Sequence, residues 1–262
     1  MPVKAILRDA AKAAQLGAIG CEIALADLQD PEALARAIGA ADAVQIILPV
    51  APEEKDMRRS AESLVEALSL ARPKRVLAIS DYGAHVADDI GMPTLFRDFE
   101  ARLGDLDLPR VILRSAEHMH NWARVAPIAL ASGILPSFQD PVEREMPTIA
   151  AGDLGRIAAD LLLRAAEGVV HAEGPRRYSA SDVAAALSQL SGRPIQAQAV
   201  PRAHWPATFE RSVPASLADL LIKANDAKNK GGLVDIEPNT GEVRYGTTEL
   251  IDALRPLLSP GS

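Results

Sequence analysis

The chain has 262 residues, with 28 Lys+Arg against 35 Asp+Glu and a net charge of −7. That balance suits a soluble globular chain of one large α/β domain or two small ones, and it argues against a general nucleic-acid binder, which needs excess cations facing phosphate. A single cysteine, Cys21, excludes a disulfide framework and a multi-thiolate metal site, and aromatic residues at 3% leave little for stacking bases.

The opening residues MPVKAILRDAAKAAQ reach the charged pair Arg8-Asp9 too early for a secretory leader. No run approaches the ~20 apolar residues of a membrane span, so a cytoplasmic location is expected. Five short apolar runs rich in β-branched residues read as buried strands: PVKAIL (2–7), CEIALA (21–26), AVQIIL (43–48), RVLAIS (75–80) and RVILRS (110–115). Helical stretches separate them. Asp9 is placed to cap a helix closing at Gly17, and Asp30-Pro31 opens one through Ile38. Residues 53–71 carry Met57, Ala61, Leu64 and Leu68 on one stripe, and residues 94–106 carry Leu95, Phe99, Leu103 and Leu106 at helical spacing. Helices are expected over 121–133, 153–168, 179–192 and 217–228, a half-exposed strand over 194–200, and the least order over 201–216.

Strands alternating with helices imply βαβ units and a parallel sheet. The expected fold is α/β, a Rossmann-like doubly wound parallel sheet over 1–150, with a small C-terminal α/β region over 151–262 packed on it as one structural unit. An open sheet of this kind invites a G-x-G-x-x-G turn after its first strand, and there is none. Gly17 and Gly20 read as a helix end leading into the next strand.

The segments ILRD (6–9), DLQDPEAL (27–34), the LP-x-x-ILR run at 108–114 and GDLGRIAA (152–159), in this order and spacing, resemble NmrA-like proteins, a branch of the atypical short-chain dehydrogenase/reductase superfamily. The likeness spans almost the whole chain. In that family a strand, a Gly-rich turn and a helix, together about 20–25 residues, precede the VKAILRD-like strand. Here Met1 stands two residues before Val3, so the sheet is expected to lack its usual first strand. Two explanations stay open: a start downstream of the true one, or a chain that builds its sheet without that strand or borrows a partner's.

The resemblance implies that Arg8 sits at the adenosine ribose, where a 2′-phosphate would favour NADP(H) over NAD(H). It places Asp27 and Leu28 near adenine, and Leu48, Pro49 and Ser80 along the cofactor's edge of the sheet. Binding itself is in question without the Gly-rich turn, which supplies the N–H groups and helix dipole for a pyrophosphate. The Tyr-x-x-x-Lys pair of ordinary short-chain dehydrogenases is absent, because Tyr82 has Val86 four residues on. Catalytic residues are therefore unassigned, with Ser80, Tyr82 and His118 as weak candidates. Arg97 could bind a phosphate but cannot act as an acid. The cluster Arg114 to Asn121 matches the family's Arg-Pro-x-x-x-Met-x-Asn segment, with Ser115 where that family has Pro. It offers His118, Asn121 and Trp122 as substrate-pocket residues. His118 and His120 with Glu117 could meet a metal only from a loop, and no metal is expected. Trp122, Phe138, Trp205 and Phe209 could wall an apolar pocket.

Three functions follow as expectations. The first is an NAD(P)-binding oxidoreductase, with NADPH reducing a quinone-like or other small electrophile. The second is an NAD(P)-sensing regulator without turnover, and the third is a truncated form that no longer binds dinucleotide. Expected partners are a small-molecule substrate and a homodimer or regulatory protein, with no direct nucleic acid and no membrane.

Overall fold

The computed structural model describes residues 2–258. From the N-terminus, β1 (Lys4–Leu7) leads through a 3-10 turn into α1 (Ala13–Ala18), β2 (Glu22–Leu25), α2 (Pro31–Ile38), β3 (Ala43–Ile47), α3 (Glu54–Ala71), β4 (Arg75–Asp81), α4 (Met92–Gly104) and β5 (Arg110–Ser115). Then follow β6 (Glu117–His118), α5 (Ala126–Ser132), β7 (Ile134–Ser137), β8 (Thr148–Ile149), α6 (Ala151–Leu163) and β9 (Gly168–Glu173). The chain closes with α7 (Ala180–Ser191), β10 (Gln196–Ala199), α8 (Trp205–Phe209), α9 (Ala215–Asn229), β11 (Glu242–Tyr245) and α10 (Leu250–Leu254).

The main sheet has five parallel strands in the order β11-β9-β5-β4-β3. Its central strands are buried on both faces, as helix-covered parallel strands must be: in β5 every residue from Val111 to Ser115 is buried. Two apolar layers flank it. On one face Met57, Leu64 and Leu68 of α3, Leu95, Phe99 and Leu103 of α4, and Leu217 and Leu220 of α9 pack together. On the other, Leu154, Ala158 and Leu161 of α6 pack against Leu77, Leu113 and Val170. A third core, around Met119, Leu135, Leu187 and Leu254, holds the C-terminal region together.

β1 and β2 stand apart as a parallel pair. Among the described residues no strand bridges β1 to β3, so the sheet is split where the resemblance puts its first strand. The split leaves apolar side chains in water: Val3 is 52% exposed, Leu25 59% and Ile47 64%. Ile6 and Leu28 still pack on the first core, which keeps the pair docked.

Local chemistry explains the boundaries. Asp30 caps α2 by accepting the N–H of Ala33, and Asp9 caps only the 3-10 turn before α1 by accepting that of Ala11, both at 2.9 Å. Ser179 and Asp182 form a reciprocal capping box at α7, and Gly192 ends that helix in the left-handed region. Three expectations need correction. The helix expected over 121–133 divides into a 3-10 segment (Met119–Arg124) and α5, because Pro127 suits only the first turn of a new helix. The helix expected to run to Gly168 stops at Leu163, and Gly168 instead opens β9, which pairs with β5. The weakly ordered stretch 201–216 carries α8, whose Trp205 is buried.

Candidate active site at the carboxyl edge of the sheet

Because β3, β4, β5 and β9 are parallel, their carboxyl ends share one edge, the side on which an open α/β sheet holds its ligand. The register sets Ser80 beside Arg114 and Asp81 beside Ser115. Side chains alternate between faces of a strand, so the two pairs enter different surroundings.

Ser80 and Arg114 meet the same carboxylate. The Ser80 hydroxyl donates to Glu100 of α4, and the Arg114 guanidinium grips Glu100 at 3.0 Å from Nε and 2.7 Å from Nη2. Its remaining arm reaches Glu237. Ser80 is 4% exposed and Arg114 6%, so this is an interior charge network. Burial works to lower the Arg114 pKa, but Glu100 and Glu237 overcome it and hold the guanidinium charged.

Tyr82 also points inward. Its hydroxyl donates to Glu173 at 2.9 Å, and its ring meets His171 edge-on at 5.3 Å between centroids. Glu173 is further bound by Arg177, which also holds Asp235. Burial, then the charge of Glu173, pushes the Tyr82 pKa far above its ordinary value. His171 is fully buried, with burial and Arg114 holding its pKa down. The structure thus places Ser80 and Tyr82 in the packed interior, engaged by glutamates.

Asp81 faces a different group. Beyond β5 the chain turns outward at Glu117, and Lys228 of α9 reaches across to donate to Glu117 Oε2 at 2.7 Å. Both side chains are partly open to solvent, at 23% for Lys228 and 34% for Glu117. Burial works to lower the Lys228 pKa, but Glu117 and Asp81 outweigh it and raise it. Burial would raise Glu117, yet Lys228 and the Asn121 side chain keep it below the usual carboxylate range. Asp81 goes the other way: burial raises it more than the Gly83 N–H and Lys228 lower it.

His118 is half-buried beside this pair, and its ring lies 5.1 Å from that of His120. Burial and His120 lower its pKa, so it is held neutral. Among the described residues no group of three His, Cys, Asp or Glu side chains is arranged to hold a metal. Asn121 is half-buried near Glu117, whereas Trp122 packs on the third core. Phe138 stacks on Phe209 at 4.4 Å and meets Trp205 edge-on at 5.4 Å, bringing together three of the four candidate wall residues. Asn229, next to Lys228, fixes this platform by donating to the Phe138 carbonyl at 2.8 Å.

Of the other expected residues, Arg8 is exposed, and among the described residues it forms no ion pair. Asp27 is exposed and accepts the Gln29 N–H at 2.9 Å. Leu28 and Leu48 pack in the first core, and Pro49 is exposed. Arg97 donates to the carbonyls of Val86, Ala87 and Asp88, which makes it a loop clasp. Lys228 escaped sequence reasoning because it lies 111 residues from Glu117, and no local pattern marks it. Glu100, Glu173 and Glu237 were missed for the same reason.

No helix among the described residues is long and apolar enough to cross a membrane. A family model described as NAD(P)H-binding matches residues 1–132. The chain is 28% identical over 232 residues to an NAD(P)H azoreductase of Xenophilus azovorans, covering 84% of this chain and 77% of that protein. It is 24% identical over 261 residues to quinone oxidoreductase 2 of Escherichia coli, covering 98% and 90%. The crystal structure of the latter complexed with NADPH superposes with a TM-score of 0.80 at 23% identity, over 97% of this chain and 89% of that one. Citrobacter sp. triphenylmethane reductase complexed with NADP(H) gives 0.76 at 18% identity, over 97% and 89%. At these identities the superpositions speak for the fold alone, and that fold is the expected Rossmann-like one.

Proposed function

The chain belongs to the NAD(P)H-binding family, and from that premise we propose that it is an NADPH-dependent reductase of quinones and related planar aromatic acceptors, dyes among them. The observation that carries this reading is the polar cluster of Asp81, Glu117, His118 and Lys228 at the carboxyl ends of β4 and β5, beside an aromatic platform. The names of the azoreductase and quinone oxidoreductase relatives support it.

The residues fit the two ends of a nicotinamide dinucleotide differently from its middle. Exposed Arg8 suits a 2′-phosphate, which favours NADPH, and Asp27 with Leu28 suits the adenosine. Exposed Pro49, after β3, suits the cofactor's ribose, whereas Leu48 is buried in the first core and offers it no surface. The described residues present no Gly-rich strand–turn–helix between β1 and β3, so they offer the pyrophosphate no cradle.

Hydride donation is the chemistry the nicotinamide supplies when bound. The chain's own groups act on the acceptor. The Phe138–Phe209 stack offers a flat apolar face, while neutral His118 and Asn121 offer hydrogen bonds to a carbonyl or azo group. The Lys228 ammonium stabilises negative charge as it develops.

Calorimetric titration with NADPH and NADH, followed by nicotinamide oxidation assays against a benzoquinone, a naphthoquinone and an azo dye, tests the reading. Binding and oxidation with at least one acceptor are expected. Absence of binding at millimolar nucleotide would sink it. Arg8→Ala is expected to weaken NADPH about 10–100-fold and to leave NADH nearly unchanged, the value of a charge-assisted contact. Equal losses for both nucleotides would refute the 2′-phosphate role.

A further inference from the structure

β9 carries a buried histidine whose ring is satisfied on one side only. His171 is fully buried, and its Nε2 accepts the Glu237 backbone N–H at 3.4 Å. Among the described residues its Nδ1 has no hydrogen-bond partner. A ring nitrogen that accepts carries no proton, so the proton of the neutral ring sits on Nδ1. Arg114 lies directly across in the β5 register, and Tyr82 meets the ring edge-on at 5.3 Å.

The N–H that His171 accepts belongs to a strap. Residues 230–241 join α9 to β11 without helix or strand. At one end Gly231 and Gly232 both take φ +67°, which gives the strap a hinge. Val234 is buried in the second core, and Leu233 and Ile236 pack against it. Two guanidinium groups hold the next stretch: Arg177 donates to Asp235 at 2.8 Å, and Arg114 donates to Glu237. The strap is thus closed on the sheet by two ion pairs and one imidazole.

A second proton on His171 would go to Nε2. That nitrogen would then meet the Glu237 N–H as donor against donor, and the new charge would stand beside Arg114 in a dry interior. Neither ring N–H would have an acceptor, which burial makes costly. Opening the strap relieves all three penalties by admitting water.

We infer that His171 is an acid-operated latch: neutral, it holds strap 230–241 against the sheet, and protonated, it favours release. The titratable and charged groups around the ring are Arg114 of β5, Tyr82 and His85 beyond β4, Glu100 of α4 and Glu237 of the strap. From β11 the register brings apolar Val243. Burial first, then Arg114, hold His171 below its ordinary value of 6.5. An open strap returns it toward that value, so the open form binds the proton that the closed form refuses. Closure is therefore fully supported above about 6.5 and weakens as pH falls below it. Arg177 keeps Asp235 below the usual carboxylate range, and at Glu237 Arg114 outweighs burial to the same effect. Both carboxylates stay charged through this window, so the pH dependence there belongs to the histidine. The device needs no nucleotide and does not rest on the reductase reading.

Hydrogen–deuterium exchange of the strap, read by mass spectrometry and divided by the intrinsic rate at each pH, tests it. Between about pH 7.5 and about pH 5.5, wild-type strap opening is expected to rise by up to about tenfold per unit below 6.5, the limit for one proton taken up. His171→Gln keeps an acceptor but cannot take the charge, so its strap opening is expected to stay flat over this range, while His85→Gln follows the wild type. Nitrogen-15 NMR of the labelled wild-type imidazoles depends on no variant. It is expected to show His171 as the Nδ1–H tautomer, titrating below its ordinary value. Wild-type opening that does not change with pH overturns the latch, as does an H171Q strap that loosens with acid as the wild type does. A His171 that titrates at its ordinary value, or sits in the Nε2–H tautomer, overturns it as well.

Discussion

Replacing Arg114 by methionine is expected to destabilise the chain by about 3–5 kcal/mol, the cost of leaving a buried charge without its partner. The guanidinium is 7% exposed and its principal partner, Glu100, 12%, so water cannot substitute for the lost contacts. Methionine fills most of the volume but leaves Glu100 with the Ser80 hydroxyl alone, and Glu237 loses its anchor as well. Because Glu237 belongs to the stretch between α9 and β11, this stretch is expected to loosen with it. Urea denaturation followed by circular dichroism measures the loss. The double variant R114M/E100L removes both charges and is expected to recover most of the stability, since a buried pair contributes little over an apolar replacement. A single variant within about 1 kcal/mol of wild type would show that the network is solvated.

Gly91→Ala has the second large expected effect, and it reaches the site from a distance. Gly91 precedes α4 at φ +75° and ψ −122°, a conformation that side chains disfavour. A Cβ there would lie 2.2 Å from the Leu220 carbonyl oxygen and 2.9 Å from Lys223 Cβ, both on α9. The strained backbone costs about 1–3 kcal/mol. Overpacking against α9 costs a further ~1–3 kcal/mol. The ion pair of Lys223 with Asp89 at 2.9 Å binds the same two elements, so α9 cannot move off without losing it. Since α9 also carries Lys228, the variant is expected to lower the denaturation midpoint and kcat together. A variant with an unchanged midpoint would mean that α9 is held loosely, and the reading of Lys228 as a fixed partner of Glu117 would go with it.

Much of the core fold was legible because it depends on neighbours in sequence. β5 runs over the residues its apolar pattern marks, and α2 begins behind Asp30 and ends at Ile38. Met57, Ala61, Leu64 and Leu68 are all buried, as are Leu95, Phe99 and Leu103. β9 and β11 were not legible. β9 was read in part as the tail of a helix, because local propensity favours helix through residue 166, and only pairing with β5 makes Gly168 onward a strand. β11 has four residues with two exposed, too short for a period to show.

The site divides along the same line. Ser80, Tyr82, His118 and Asn121 could be named from their place after strands, but their burial and their partners could not. Ser80 and Tyr82 are turned inward by Glu100 and Glu173, which lie 20 and 91 residues from them. The sequence by itself determined the class of fold and the order of its first five strands along the chain, because these follow from apolar periodicity and composition. Only the tertiary structure decided which carboxyl keeps a cation, which tyrosine is buried and which lysine meets the site. Those outcomes depend on contacts between residues about a hundred positions apart, where desolvation and charge set the chemistry and no local pattern records them.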